Sequence, residues 1–427
     1  MKTIKWVQIG FRFKEWLITG IFGVLMLAAA LLVLLKDLEI GPIQIGVSIL
    51  LAIIGVYSLI ECLKRIFVKF VSVYSNGILK SPSNVQQIGD ILYKRKVLAA
   101  GPKIVVIGGG TGISTLLRGL KQYSSNITAI ITVADDGGGS GALRTDLGML
   151  PPGDIRNCLL ALAETEPVLE KLLDYRFTDG SLKGQSFGNL FLAAMCGISG
   201  SFEQAVRHMG EVLAVTGRVY PVTEENVYLV AELEDGTVIR GESRIGAHHT
   251  THPGKIRRVS FDKPKVKPLP AILDAIRDAD MIVLGPGSLY TSIIPNFLVE
   301  GMGKALESAM GLRLYACNIM TQPGETDGYT VGNHLEALFF HAGSVCVDYC
   351  LVNSGKIKAA ATKKYLEDGA EPVMVDLSHV KRMGIRLIEK DLVKLAGDYV
   401  RHDPEKLAQA IMDIYKAYGH TPRTKTK

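Results

Sequence analysis

Two glycine loops and a pair of acids carry the chemistry that this sequence offers most plainly. Gly108-Gly-Gly-Thr-Gly112 follows the short β-branched run Lys103–Ile107 and precedes a helical pattern with Leu116, Leu117 and Leu120 on one face. Asp135-Asp136 closes a second apolar run, Ile127–Val133, and opens a second glycine loop, Gly137-Gly-Gly-Ser-Gly141, with Ser140 inside it. Glycines let a backbone approach a ligand closely, and the N–H groups at a helix start favour an anion. Carboxylates at the end of the next strand can accept bonds from a ribose diol. The layout is that of phosphate and ribose binding, although neither register of the loop completes a GxGxxG spacing. From Gly108 the third glycine position is Ile113, and from Gly110 it is Thr115.

Further along, Pro151-Pro-Gly-Asp-Ile-Arg-Asn157 predicts a helix through Leu159, Leu160 and Leu162, with Asp154 as its N-cap and Asn157 within reach of the same crevice. Phe187-Gly-Asn-Leu190 contributes Gly188 and Asn189 and leads into Phe191–Ile198, read as a buried helix. The strand pattern at 279–284 ends in Gly285-Pro-Gly-Ser-Leu-Tyr-Thr-Ser292, and that at 313–317 in Asn318-Ile-Met-Thr-Gln-Pro-Gly-Glu-Thr326. The candidate ligand contacts are therefore Gly108, Gly109, Gly110, Thr111, Gly112, Asp135, Asp136, Gly137, Ser140, Asp154, Asn157, Gly188, Asn189, Gly285, Gly287, Ser288, Thr291, Ser292, Asn318 and Thr321. Each loop alone also reads as a plain turn. Four of them at strand carboxyl ends converge on one crevice if the sheet is parallel. Asp135 and Asp136 either hold a ribose or uridine, or hold Mg²⁺ with a diphosphate. No third acid clusters with them in the sequence.

Strands and helices alternate from Pro102 onward, the pattern of an α/β domain with a mostly parallel sheet. An antiparallel insertion is expected around Glu234-Asp-Gly236, between Val227–Leu233 and Thr237–Arg240, and a late strand at Val373–Leu377. Asp403-Pro404 starts a C-terminal helix in the preferred cap-then-proline order. The chain has 427 residues, of which 48% are hydrophobic, and the N-terminus explains the excess. Trp16–Leu35 and Ile40–Ile60 are uncharged runs of 20 and 21 residues, each long enough to span a bilayer core. Lys2, Lys5, Arg12 and Lys14 precede the first, and Lys64, Arg65 and Lys69 follow the second. The positive-inside rule then places both termini and the main domain on the cytoplasmic side of a bacterial cytoplasmic membrane. The expected organisation is a membrane hairpin at 1–70 (spans about 16–35 and 40–60), a linker at 71–101, a nucleotide-binding domain at 102–400, and a C-terminal helix with a basic tail at 401–427.

Other features carry less. His248, His249 and His252 lie in a loop with no partner motif, the basic run Lys255–Lys267 suits a solvated face or anionic lipid, and six cysteines sit mostly in apolar runs, as expected of reduced residues. The net charge of +6 comes partly from the membrane flanks and the tail, and no nucleic-acid-binding motif accompanies it.

Taken in order, Ile-Gly-Gly-Gly-Thr-Gly, Val-Ala-Asp-Asp-Gly-Gly, Pro-Pro-Gly-Asp-Ile-Arg-Asn, Gly-Asn-Leu, Gly-Pro-Gly-Ser-Leu-Tyr-Thr-Ser-Ile and Asn-Ile-Met-Thr-Gln-Pro-Gly-Glu-Thr resemble the YvcK-type gluconeogenesis factor family, a branch of the superfamily that includes the CofD 2-phospho-L-lactate transferases. The resemblance covers roughly residues 102–400 and implies a Rossmann-like domain with a modified nucleotide site. It implies binding of a UDP-sugar such as UDP-N-acetylglucosamine, and control of cell shape, envelope synthesis and gluconeogenic growth. On that reading Gly108–Gly112 and Ser288 hold the diphosphate, Asp135 and Asp136 meet the nucleoside or a metal, and Asn189, Asn318 and Thr321 line the sugar end. Envelope-synthesis proteins and further copies of the chain are the expected partners, and no cofactor is firmly implied. The CofD branch implies instead a Mg²⁺-assisted phosphate-ester transferase acting on a deazaflavin. The chain departs from the family in three places: members are typically soluble, Gly139 stands where the branch usually has Ser, and Gln185 stands where it usually has His. Glutamine cannot exchange a proton near neutral pH as histidine does.

Overall fold

The computed structural model describes residues 13–35, 41–74, 93–164, 167–250, 254–357, 359–396 and 399–419, and its contacts divide the chain into two compact units, Met1–Lys96 and Val97–Lys427. In the first, helices Phe13–Leu35 and Pro42–Tyr74 pack side by side in opposite directions. Three close approaches set their register: Gly20 against Cys62, Gly23 against Gly55, and the Ser48 hydroxyl donating to the Ala30 carbonyl at 2.8 Å. A Cβ on Gly23 would come within 2.9 Å of the Gly55 carbonyl oxygen, so the backbones touch where side chains are missing. This is the packing expected of helices in lipid, where small residues let backbones meet. Only 11% of each apolar window is buried within the fold, whereas the core helix of a soluble protein would be mostly covered. Both helices are long and apolar enough to cross a membrane. The second continues well past Ile60, and residues 93–99 are helical too, so the stretch read as a linker has helix at both ends. Residues 75–92 lie outside the described set, as do Lys2, Lys5 and Arg12, His252 and the tail from 420.

The second unit is the expected α/β domain. Its strands are β1 (Ile104–Gly108), β2 (Ile127–Ile131), β3 (Arg218–Pro221), β4 (Leu229–Leu233), β5 (Val238–Arg240), β6 (Ile256–Phe261), β7 (Met281–Leu284), β8 (Leu312–Ala316), β9 (Tyr349–Asn353), β10 (Arg386–Lys390), β11 (Val393–Ala396) and β12 (Tyr399–His402). Among the described residues seven of them form one sheet in the order β10-β9-β8-β7-β1-β2-β3, every neighbouring pair parallel. Central strands β1, β7 and β8 are buried along their whole length, so β1 and β7 read as unbroken apolar runs, while β8 carries a buried Arg313 paired with Asp348. The strand order reverses between β1 and β7, and ligands of open α/β sheets settle at such a reversal.

The insertion is a three-stranded antiparallel sheet, β5-β4-β6, with one more strand than the hairpin signal predicted. The sixth strand hides in the basic run, where Arg257 and Arg258 pair with Glu232 across the sheet. Two expectations are corrected. The late strand is β10 rather than 373–377: residues around Pro372 and Met374 make only isolated bridges, and Leu377 starts a helix. Helix Phe187–Ser199 exists but is not buried, since Ile198 is 81% exposed.

The C-terminal helix, Pro404–Tyr418, belongs to this unit. Asp403 caps it by accepting from the Glu405 and Lys406 amides, and it lies directly on helix Gly110–Leu120. A Cβ at Gly119 would sit 2.1 Å from the Pro404 carbonyl oxygen. Helix propensity alone favours Gly119→Ala by about 1 kcal/mol; the contact should reverse the sign. The variant should be destabilised by about 1–3 kcal/mol in denaturant unfolding, and a variant as stable as the wild type would refute the close packing.

Candidate functional site

At the β1/β7 reversal a cleft of about 620 Å³ opens outside the strand carboxyl ends, within the range of small-molecule sites. One wall is the start of helix Gly110–Leu120. Gly110 adopts φ +68°, and Gly112 lies so close to the next loop that a Cβ would come within 2.3 Å of the Pro286 carbonyl oxygen. The Thr111 and Gly112 amides fall in the first helical turn, where intrahelical acceptors are lacking. The facing wall is the 286–292 loop after β7, and the floor is 318–323 after β8.

Of the residues singled out by sequence, Gly109, Gly110, Thr111, Gly112, Asp135, Asp154, Gly287, Ser288, Thr291, Ser292, Asn318 and Thr321 line this cleft. The other eight do not. Gly108 is the last residue of β1, packed on Ile113. Gly285 turns the chain with φ +71° against Ile293. Gly137 donates its amide to Asp135 at 2.9 Å, and Ser140 hydrogen-bonds the same carboxylate. Asn157 accepts from Arg156, whose side chain lies against Gly188. Asn189 is buried near the start of its helix with its amide on Ser186. Asp136 turns away: its carboxylate accepts the Ser243 amide at 2.9 Å and so fixes the start of helix Glu242–Ala247. The two adjacent acids therefore serve different elements. Among the described residues no three His, Cys, Asp or Glu side chains gather as a metal-holding group, and the Asp135–Asp136 pair does not fit as an ion cage.

Asp154 corrects the capping prediction. Pro152 occupies the cap position, and Asp154 sits inside the helix Gly153–Leu162, reaching across to accept the Gly110 amide at 2.6 Å. Burial, helped by the charge of Asp135, raises its pKa to about 6. Burial likewise raises Asp135, against the pull of Gly137 and Ser140.

Sequence reasoning missed Thr115, Thr132, Glu242, Gln322, Tyr365, Asp368, Arg401 and His402 on the cleft. Glu242 is the third acid absent from the sequence cluster, delivered from the insertion, and burial beside Asp135 and Glu325 lifts its pKa to about 8. Arg401, on β12, is the only Lys or Arg among the described residues that line the cleft. Tyr365 braces that strand by hydrogen bonds to both the amide and the carbonyl of Val400. His402 is held neutral, its pKa lowered to about 4 by burial. Only the adjacent Asp403-Pro404 cap marked this segment in the sequence.

Comparison with known proteins places this geometry among relatives. The family model described as 2-phospho-L-lactate transferase CofD matches residues 104–393. The gluconeogenesis factor of Bacillus subtilis is 48% identical over 316 residues, 74% of this chain and 98% of its own. A Clostridium acetobutylicum relative in the same group is 47% identical over 414 residues, 97% of this chain and 92% of its own. A Bacillus halodurans protein of known crystal structure is 47% identical with a TM-score of 0.71, and covers 73% of this chain and 99% of that one.

Asp154 and Glu242 hold their protons more tightly in the folded chain than at their ordinary values of 3.8 and 4.5. Their stabilising contribution is complete below about pH 4 and is lost as the pH rises through about 6 and about 8. Glu242→Gln should flatten the upper part of that fall by at least about 1 kcal/mol between pH 6 and 9, read from denaturant midpoints. A pH profile unchanged by the substitution would count against the assignment.

Proposed function

The chain belongs to the YvcK-type gluconeogenesis factor family, within the CofD-like superfamily, and from that membership we propose that it is a membrane-anchored UDP-sugar-binding regulator of cell shape, envelope synthesis and gluconeogenic growth. The observation that carries the ligand class is the pairing, on one cleft, of the open amides at Thr111 and Gly112 with the guanidinium of Arg401. Backbone amides at a helix start and an arginine fork are the two donor types that recognise a diphosphate best. Asp135 supplies a carboxylate for ribose hydroxyls, and Asp154 shapes the loop by holding Gly110.

The acids make the cleft selective about charge. With Asp135, Asp154 and Glu242 all ionised, an anion would be repelled. Protonation of Glu242, or a Mg²⁺ ion brought in by the diphosphate and facing Asp135, removes the conflict. A transferase acting on a phosphate ester is the second reading, favoured by these near-neutral carboxyls and by the matching family model. The hairpin helices Phe13–Leu35 and Pro42–Tyr74 supply the anchor, with the cleft on the cytoplasmic side.

Calorimetric titration of the full chain in lipid nanodiscs with UDP-N-acetylglucosamine, with and without Mg²⁺, tests the ligand. Saturable binding without product supports the regulator, and consumption of the nucleotide moves the transferase ahead. Arg401→Ala should weaken binding at least about tenfold, as expected for a charge-assisted contact; undiminished affinity would remove Arg401 from the site. For the anchor, the full chain should stay in the membrane pellet after an alkaline carbonate wash, and a chain lacking 1–70 should not. Release of the full chain by the wash would rule out an integral hairpin.

A further inference from the structure

Several donors of the 286–292 wall of the cleft are already engaged. The Gly287 amide donates to the Asn318 side chain at 3.3 Å, and Asn318 donates back to the Gly287 carbonyl at 2.9 Å. The Tyr290 amide and the Thr291 hydroxyl both donate to the buried carboxylate of Glu325, at 3.1 and 3.0 Å. Gln322 donates its Nε2 to the same carboxylate at 2.7 Å. The Ser288 hydroxyl donates to Oε1 of Gln322 at 2.6 Å.

The two ends of the Gln322 amide set the directions in this chain. Burial raises the Glu325 pKa to about 7; in its ionised form the carboxylate only accepts, and the NH₂ of Gln322 faces it. Its carbonyl oxygen therefore faces Ser288 and takes the serine proton. A hydroxyl has one proton and two lone pairs, and here the proton is spent inside the wall. Donors reach both oxygens of Glu325 and favour its ionised form, against the stronger upward push of burial.

We infer that Ser288 meets the ligand with its oxygen lone pairs rather than its proton, and so recognises a neutral hydrogen-bond donor such as a sugar hydroxyl rather than a phosphate oxygen. Glu325 and Gln322 are positioning residues that set this polarity. The assignment rests on the nucleotide-sugar reading and divides the cleft: phosphate on the Thr111–Gly112 side, sugar on the Ser288 side. It also revises the expectation that Ser288 shares the diphosphate with the glycine loop.

The polarity can be reversed by swapping partners. In Glu325→Gln an amide faces the Gln322 side chain, so the latter can turn its carbonyl inward and its NH₂ toward Ser288, freeing the serine proton. The double variant Gln322→Glu, Glu325→Gln restores an acceptor for Ser288 and a donor between the two side chains. The experiment is titration of the full chain in nanodiscs with UDP and with UDP-N-acetylglucosamine, for the wild type, Ser288→Ala, Glu325→Gln and the double variant. Ser288→Ala and Glu325→Gln should each weaken the sugar nucleotide by roughly two- to tenfold while leaving UDP unchanged, and the double variant should recover the wild-type preference. Equal loss for both compounds in Ser288→Ala would place the serine on phosphate and overturn the assignment, as would an unchanged preference in folded Glu325→Gln. Should Glu325→Gln fail to fold, Ser288→Ala alone decides. A wild-type chain that binds neither compound would remove the nucleotide reading and this assignment with it, an outcome distinct from equal loss.

Discussion

Everything in the unit Val97–Lys427 is arranged around a place where two loops come too close for a side chain. Gly112 at the head of its helix and Pro286 after β7 meet with no room for a Cβ between them, and Gly109 is pressed against Thr132 in the same way. The contact lies where the strand order of the parallel sheet reverses between β1 and β7, the place where open α/β sheets leave a crevice. The helix start is thereby held open toward the cleft. Remove the contact and the crevice, the exposed amides and the position of Asp154 lose their common support.

The parts of this plan with strong local signals were readable in the sequence. Buried parallel strands such as β1 and β7 write themselves as short β-branched runs, and their glycine loops follow because close backbone approach admits no other residue. The apolar hairpin was as plain. What escaped has no local period. Glu242 reaches the cleft only because Asp136 pins its helix, a bond between residues 107 apart in the chain. Arg401 lies on β12, paired antiparallel with β11 in strands that alternate weakly, and its meaning depends on tertiary placement. Asp154 looked like a cap because Asp near a helix start usually is one, but Pro152 took that position and freed the carboxylate to cross to Gly110. The edge strand β10, Arg386–Lys390, reads as polar because one side of an edge is wet.

Charge in the cleft is balanced by distribution rather than by number. Asp135, Asp154 and Glu242 come from the β2 loop, the helix Gly153–Leu162 and the insertion, while Asp368 and Arg401, the one guanidinium among the described lining residues, come from the C-terminal part of the chain. Buried hydrogen bonds then settle which groups still have protons to give. The glycine-loop wall presents first-turn N–H groups; on the 286–292 wall the Gly287 and Tyr290 amides and the Ser288 and Thr291 hydroxyls are spent on Asn318, Gln322 and Glu325. A ligand with one anionic and one hydroxyl-rich end meets complementary surfaces in a fixed orientation.

The packing of helix Pro404–Tyr418 on helix Gly110–Leu120 also sets an order in time. The apolar hairpin is the first described part of the chain to be synthesised, and β12 with its capping helix is the last. At roughly 5–20 residues per second of synthesis, the cleft gains its final wall tens of seconds after the hairpin has emerged. Every newly made chain thus completes its apolar hairpin well before the last wall of its cleft.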